Sequence, residues 1–320
     1  MTLPAQFEGL ERVALPVRPV HLAVGMFDGV HLGHQAVIES AIHSARAGGG
    51  PAPAGRGLAG VLTFWPHPSR VLRPAEPVPL IMNPAMKARV LLELGVDFII
   101  SQPFTRDFAA LAAEEFLPRL RRHLPALAGV YVGENWRFGR DRRGDVTLLV
   151  AEARRLGLPV TSAQRINRNG EPISSSRIRA CLQAGDVGEA GAMLGYNYFA
   201  EGAVAPGRRL GGQLGFPTLN VPWQPELQPR PGVYVVRVGD GRATARLPGV
   251  ANYGFRPTVE DRSEPLLEVH VLGECPFGAG DRVTVEWLKF LRPEQKFAGA
   301  KELRAQIARD CAAAREFFQP

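Results

Sequence analysis

Between residues 20 and about 194, short apolar runs alternate with amphipathic stretches; after that, brief β-type runs are broken by frequent Gly and Pro. In the first part the runs predict strands at 21–25, 58–64, 96–101, 130–133 and 158–162. The stretches between them predict helices over 35–45, 84–94, 107–124 and 145–156. Strand alternating with helix implies an α/β domain with a parallel sheet. Ligands of such sheets bind outside the carboxyl ends of the strands, so motifs that directly follow strands carry the most weight. After Gly195, strands expected at 200–204, 232–238, 243–247, 267–272 and 282–287 suit a small antiparallel barrel or sandwich. A helix over 299–317, with Leu303, Ile307 and Cys311 on one stripe, closes the chain. The expected division is into domains 1–194 and 195–320.

Composition narrows this picture. With 320 residues there is room for two domains with separate cores. The net charge of +7 suits anionic ligands such as nucleotides. The basic residues are scattered, however, and the trio Arg119, Arg121 and Arg122 reads as a solvated helix face, so no nucleic acid is expected as partner. Cys181, Cys275 and Cys311 form no C-x-x-C pair, which argues against a disulfide framework and a zinc site. Glu8 and Glu11 stand where a signal peptide would need an apolar core, and no apolar run reaches membrane-spanning length. The expectation is a cytoplasmic protein without a membrane partner, as a monomer or a homo-oligomer. The Gly/Pro-rich loop 48–60 holds a formal G-x-G-x-x-G at Gly55, Gly57 and Gly60, but it precedes a strand instead of following one and so carries no weight.

Residues 25–34, GMFDGVHLGH, run straight from the first strand into the first helix. His31 and His34 flank Gly33 at a helix N-terminus, where free N–H groups and the helix dipole favour phosphate. Gly25 and Gly29 let backbone approach a ligand. A metal pair is the other reading, but no third His or Cys lies nearby. Such a site suits nucleotidyl transfer, in which the protein stabilises charge on the α-phosphate and the leaving pyrophosphate. Further on, Ser174 or Ser175 can cap a helix that Gly185 ends. Arg177 and Arg179 would carry guanidinium groups to one nucleotide edge. In the second half, residues 211–220, GGQLGFPTLN, lead a Gly-rich loop through Pro217 into an extended segment. There Thr218 and Asn220 face one side, as a Mg²⁺–ATP ligand pair or as part of a turn. Glu268, between Leu267 and Val269, is either a general base or an outward-facing strand residue.

The segment 25–35 resembles the signature of prokaryotic bifunctional riboflavin kinase/FMN adenylyltransferases (FAD synthetases), within the HxGH nucleotidyltransferase superfamily. The similarity continues through 63–68 (TFWPHP), 132–139 (VGENWRFG), 173–179 (ISSSRIR), 231–234, 249–258 (GVANYGFRPT), 267–270 (LEVH) and 291–297 (LRPEQKF). It implies a Rossmann-like adenylyltransferase domain followed by a β-barrel riboflavin kinase domain with a C-terminal helix. The implied substrates are riboflavin, FMN and ATP, with Mg²⁺. By the resemblance, His31, His34, Asn135, Ser175, Arg179 and Glu268 are catalytic, with Glu268 as general base. Gly25, Phe27, Asp28, Gly33, Ser174, Arg177, Gly211 and Gly215 border nucleotide, and Asp28 could equally hold its turn. Phe64, His67 and Arg292 border flavin, with core packing as the rival for Phe64; Thr218 and Asn220 take the metal. Two features depart from the pattern or stand outside it. Leu219 replaces Ala in G-F-P-T-A-N, and the stretch 273–281, GECPFGAGD, lacks the Tyr of the family's D-x-x-L-Y-G-like turn. Arg208 and Arg209 could touch phosphate or be solvated. The altered turn motivates an alternative, a monofunctional adenylyltransferase with a degenerate kinase domain; the basic charge motivates a weaker one, a nucleic-acid-binding regulator.

Overall fold

The computed structural model describes residues 4–47, 56–207, 210–241, 246–256 and 264–319, and the chain divides into two compact units, Met1–Ser175 and Ser176–Pro320. Part of the loop 48–60, including Gly55, and both Arg208 and Arg209 lie outside the described residues.

In the first unit the elements are β1 (Ala5–Glu8), β2 (Val20–Val24), α1 (Leu32–Ala47), β3 (Leu58–Trp65), α2 (Pro68–Leu72), α3 (Pro84–Glu93), β4 (Phe98–Pro103), α4 (Arg106–Ala109), α5 (Ala113–His123), β5 (Leu127–Gly133), α6 (Val146–Arg155), β6 (Val160–Ala163) and the small hairpin of β7 (Asn167–Arg168) and β8 (Glu171–Pro172). The sheet order is β1-β4-β3-β2-β5-β6 with every pair parallel. From β2 the chain winds outward to β3 and β4 on one side, then crosses to β5 and β6 on the other. The carboxyl ends of β2 and β5 therefore form the topological switch point, where open α/β sheets bind ligands. The core is built on apolar strand residues such as Leu22, Leu62, Ile100, Val130 and Val132. The predicted helix over 107–124 is broken. Glu115 turns back to accept from the backbone N–H of Ala112 (3.2 Å), and Leu111 O accepts from Arg140 N (2.7 Å), so the chain leaves the helix between α4 and α5.

The second unit comprises α7 (Ser175–Ala184), whose first residue belongs to the first unit, α8 (Val187–Leu194), β9 (Phe199–Ala203), α9 (Leu210–Gln213), β10 (Leu219–Pro222), β11 (Gly232–Gly239), β12 (Leu247–Arg256), β13 (Glu264–Val271), β14 (Arg282–Arg292) and α10 (Ala300–Phe318). Six antiparallel strands in the order β10-β13-β12-β11-β14-β9 curl until the bridge Ala205–Asn220 brings the two edges together, a nearly closed barrel. Its interior is aromatic: Trp287 packs edge-on or tilted against Tyr198, Trp223, Tyr234 and Tyr253 at 4.5–6.2 Å between ring centres. On another face, Cys311 and Ala314 of α10 bury against Val233, Val235 and Val250. The strand expected at 243–247 lies mostly outside the described residues, and the strand found begins at Leu247.

Candidate active sites

The first site lies at the switch point. A cleft of about 810 Å³ opens over the ends of β2, β3 and β5 and is lined by Gly25, Phe27, His31, Gly33, His34, Phe64, His67 and Asn135. The structure thus brings eight of the expected residues into one cavity. The strand-to-helix turn delivers the histidines: His31 O accepts from the N–H groups of His34 (2.7 Å) and Gln35 (2.9 Å), and the two imidazoles stack with centres 3.5 Å apart. A Cβ on Gly33 would sit 3.2 Å from the His31 ring, so glycine keeps the stack free to face a ligand. Nδ1 of His34 is buried without a hydrogen-bond partner.

Burial lowers the His31 pKa to about 4, and burial with the neighbouring His31 and Lys87 charges holds His34 well below its ordinary value. Both rings are therefore neutral at pH 7. An unfolded chain would protonate them near 6.5, so acid favours unfolding. Stability of this unit should be intact above pH 6.5 and fall as pH drops toward 4, with His31 alone worth about 3 kcal/mol. Urea titrations at pH 7 and pH 4.5, monitored for this unit, would show no such difference if the rings were not buried neutral.

Asp28 takes the turn-holding place. It is buried and accepts from the N–H of Ile81 with both carboxylate oxygens, at 3.0 and 3.3 Å. Ser175 does not cap α7 with its hydroxyl. It is the first helical residue and donates to Asp28 O at 2.9 Å, while Ser174 precedes the helix. Gly185 does end α7, at φ 85°. Arg177 and Arg179 stand two positions apart on a helix, so they do not share an edge. Arg177 meets Glu189 of α8 at 3.8 Å, whereas Arg179, four residues on from Ser175, shares that residue's face. His67 caps α2, its Nδ1 accepting from Ser69 N at 3.1 Å. Phe64 is a core residue that also lines the cleft.

The sequence reading missed much of the cleft's far wall: Phe104, Phe108, Trp136 and Phe138, with Arg73, Arg137, Arg142 and Arg165. Trp136 and Phe138 stack at 4.5 Å and 13°. These aromatics follow β4 and β5, and the rule that ligands meet the chain after strand ends could have found them. Arg142, at φ 58°, is a non-glycine residue in the left-handed region at the cleft.

The second site is a row across the barrel. Asn220 of β10 and Asn252 of β12 both stand directly opposite Glu268 of β13. Paired residues of antiparallel strands share a face, while Leu267 and Val269 point inward and are fully buried. Leu219 is likewise buried, which leaves Thr218 and Asn220 on the other side. A Cβ on Gly207 would lie 1.9 Å from Asn220 Nδ2, and one on Gly211 3.3 Å from Thr218 Oγ1. The glycine backbone therefore lies directly against these two polar side chains. A hydroxyl and an amide oxygen beside one carboxylate fit Mg²⁺, which binds few protein oxygens and completes its shell with phosphate and water. Among the described residues no group of three or more His, Cys, Asp or Glu is placed to hold a metal ion. Gly215, at φ 85°, turns the chain before Pro217. Asn252 also donates to Glu294 (3.3 Å), a carboxylate the sequence reading missed. Arg292 is committed to α10: Nε and Nη2 grip Asp310 at 2.9 and 2.7 Å. This pair fixes the loop beside a second cleft, of about 500 Å³, lined by Gln295, Lys296, Phe297, Glu302, Gln306 and Arg309. In the altered stretch 273–281, Asp281 accepts from Gly278 N (2.8 Å) and closes the turn without a Tyr.

The comparisons agree with two sites on two units. The FAD synthetase family model matches residues 16–177, and the riboflavin kinase model matches residues 194–318. The bifunctional riboflavin kinase/FMN adenylyltransferase of Escherichia coli (strain K12) is 38% identical over 93% of this chain and 92% of its own. That of Pseudomonas fluorescens is 36% identical over 95% and 96%. The chain belongs to the bifunctional riboflavin kinase/FMN adenylyltransferase family. It is an enzyme with both of the family's domains, which favours two activities over an adenylyltransferase with a degenerate companion. Activities of this kind imply ATP as co-substrate and typically a divalent metal. A solved structure from Streptococcus pneumoniae, described as a macrolide-efflux protein, superposes with a TM-score of 0.84 at 28% identity, over 97% of this chain and 98% of that one. Among the described residues of this chain no helix is long and apolar enough to cross a membrane.

Proposed function

We propose that the barrel unit transfers the γ-phosphoryl group of ATP to the ribityl 5′-hydroxyl of riboflavin, giving FMN and ADP. The α/β unit then joins the FMN phosphate to the adenylyl group of a second ATP, giving FAD and pyrophosphate. The functional boundary lies near residues 194/195. The observation that carries this reading is the separate placement of the two constellations. Stacked neutral histidines sit at a helix N-terminus in one unit, and Glu268 sits between two asparagines in the other.

In the first reaction Glu268 accepts the hydroxyl proton as that oxygen attacks the γ-phosphorus. Thr218 and Asn220 would hold Mg²⁺, which would supply charge neutralisation at the phosphates. Gly211 and Gly215 admit the phosphates to the backbone. Arg292 acts on flavin through the loop it anchors. In the second reaction His31 and His34 donate to the triphosphate as charge builds on it, and no covalent enzyme intermediate is needed. Asn135, Ser174 and Ser175 serve the nucleotide, and Gly25, Phe27, Asp28 and Gly33 shape its turn. Phe64, His67 and the aromatic wall of Phe108, Trp136 and Phe138 take the flat isoalloxazine ring by stacking. Product analysis over time, with riboflavin, ATP and Mg²⁺, should show FMN rising first and FAD after it. Absence of FMN would remove the kinase assignment; FMN without FAD would remove the other.

A further inference from the structure

The turn that carries the histidines is strained. Phe27 (φ 51°), Gly29 (φ 83°) and Val30 (φ 37°) all occupy the left-handed region, and two of them are not glycine. Such backbone persists only where its surroundings over-determine it. The supports come from three other elements. From α3, whose N-terminus Asn83 caps, Lys87 sends its ammonium inward to donate to Met26 O (3.2 Å) and to Thr63 Oγ1 (2.9 Å). Thr63 of β3 donates to the same Met26 carbonyl at 2.9 Å. Asp28 is pinned by Ile81 N through its carboxylate and by Ser175 through its carbonyl. Lys87 and Asp28 both line a small space of about 10 Å³, with Met26, Phe64 and His67 among its other walls, room for a single water.

We propose that Lys87 and Asp28 form a buried positioning pair that holds residues 26–30 in their strained course and so aims His31 and His34 at the triphosphate. Lys87 is not a catalytic residue in this account, because its bonds go to the turn and to Thr63. A cation is the right choice at this place for two reasons. It donates to the carbonyl at the end of β2 while balancing the buried Asp28, and its charge disfavours protonation of His34. Burial brings the Lys87 pKa down to about 8, with Asp28 opposing. The ionisable groups that face it are Asp28 and His34 from the turn and His67 from the start of α2. As a lone lysine in a predicted helix, Lys87 gave no sign of this in the sequence.

The inference rests on the cleft being the adenylyl-transfer site, and the test separates the two. In the full chain, Lys87→Met should lower kcat for FAD formation from FMN and ATP about 10²-fold. KM for ATP should stay within threefold, and riboflavin phosphorylation should remain at the parent rate. The acid limb of the kcat profile should move to higher pH, because His34 loses a repelling cation; a merely structural defect would not move it. Lys87→Arg should recover part of the rate. A folded Lys87→Met protein with kcat within threefold of the parent, or with reduced kcat and an unmoved acid limb, overturns the proposal. If Lys87→Met does not fold, Thr63→Val decides: a fall of at least fivefold in kcat with unchanged KM supports the pair, and parental kcat overturns it. His34→Ala retaining FAD synthesis would instead overturn the reading of the cleft itself.

Discussion

Glu268→Ala should abolish FMN formation, by about 10²- to 10⁴-fold, while leaving FAD synthesis from added FMN at the parent rate. The size follows from removing a positioned base whose contribution to proton transfer is of that order. The selectivity follows from placement. Glu268 lies on β13 of the barrel, opposite Asn220 and Asn252, and belongs to a unit different from that of the histidine cleft. Truncation leaves the inward neighbours Leu267 and Val269 in place, so the barrel core is untouched. The measurement is chromatographic separation of FMN and FAD in two assays, one begun with riboflavin and one with FMN. Loss of both products from a folded variant would contradict two independent sites.

His34→Ala should do the reverse. FAD synthesis should fall about 10²- to 10³-fold, the range for removing one preorganised donor to developing charge, and FMN should accumulate from riboflavin. His34 has the stronger claim of the two histidines, because its Nδ1 is buried in the cleft with no protein partner. His31 Nδ1 already lies 3.3 Å from the backbone N–H of His34. A neutral imidazole offers an N–H without the cost of burying a charge, which explains a helix N-terminus lined with groups of low pKa. The same assays report the outcome, and undiminished FAD formation would remove His34 from the reaction.

The sequence and the structure divide these conclusions between them on physical grounds. Strands whose two faces are both covered read as unbroken apolar runs, and β2, β3 and β5 were legible for that reason. The histidine turn was legible because its chemistry is local, with strand end, glycines and imidazoles inside ten residues. The edge strand β1, only Ala5–Glu8, carries no such run and forms only because β4 offers it a parallel partner. β12 holds two glycines and an asparagine, poor strand formers, and is imposed by β11 and β13 on either side. The pairing of Arg292 with Asp310, the facing of Glu268 by Asn252 and the reach of Lys87 to Met26 all join distant segments.

What the sequence determined by itself is the alternation of strand and helix in the first half, the β-rich second half closed by a helix, and the resemblance that names the family. What only the tertiary structure decided is which side chains meet. The cleft's aromatic wall, the separate faces of Arg177 and Arg179, and the buried cation beneath the histidine turn depend on how strands and helices pack. Periodicity along a chain reports only which face of an element is buried, not what lies against it.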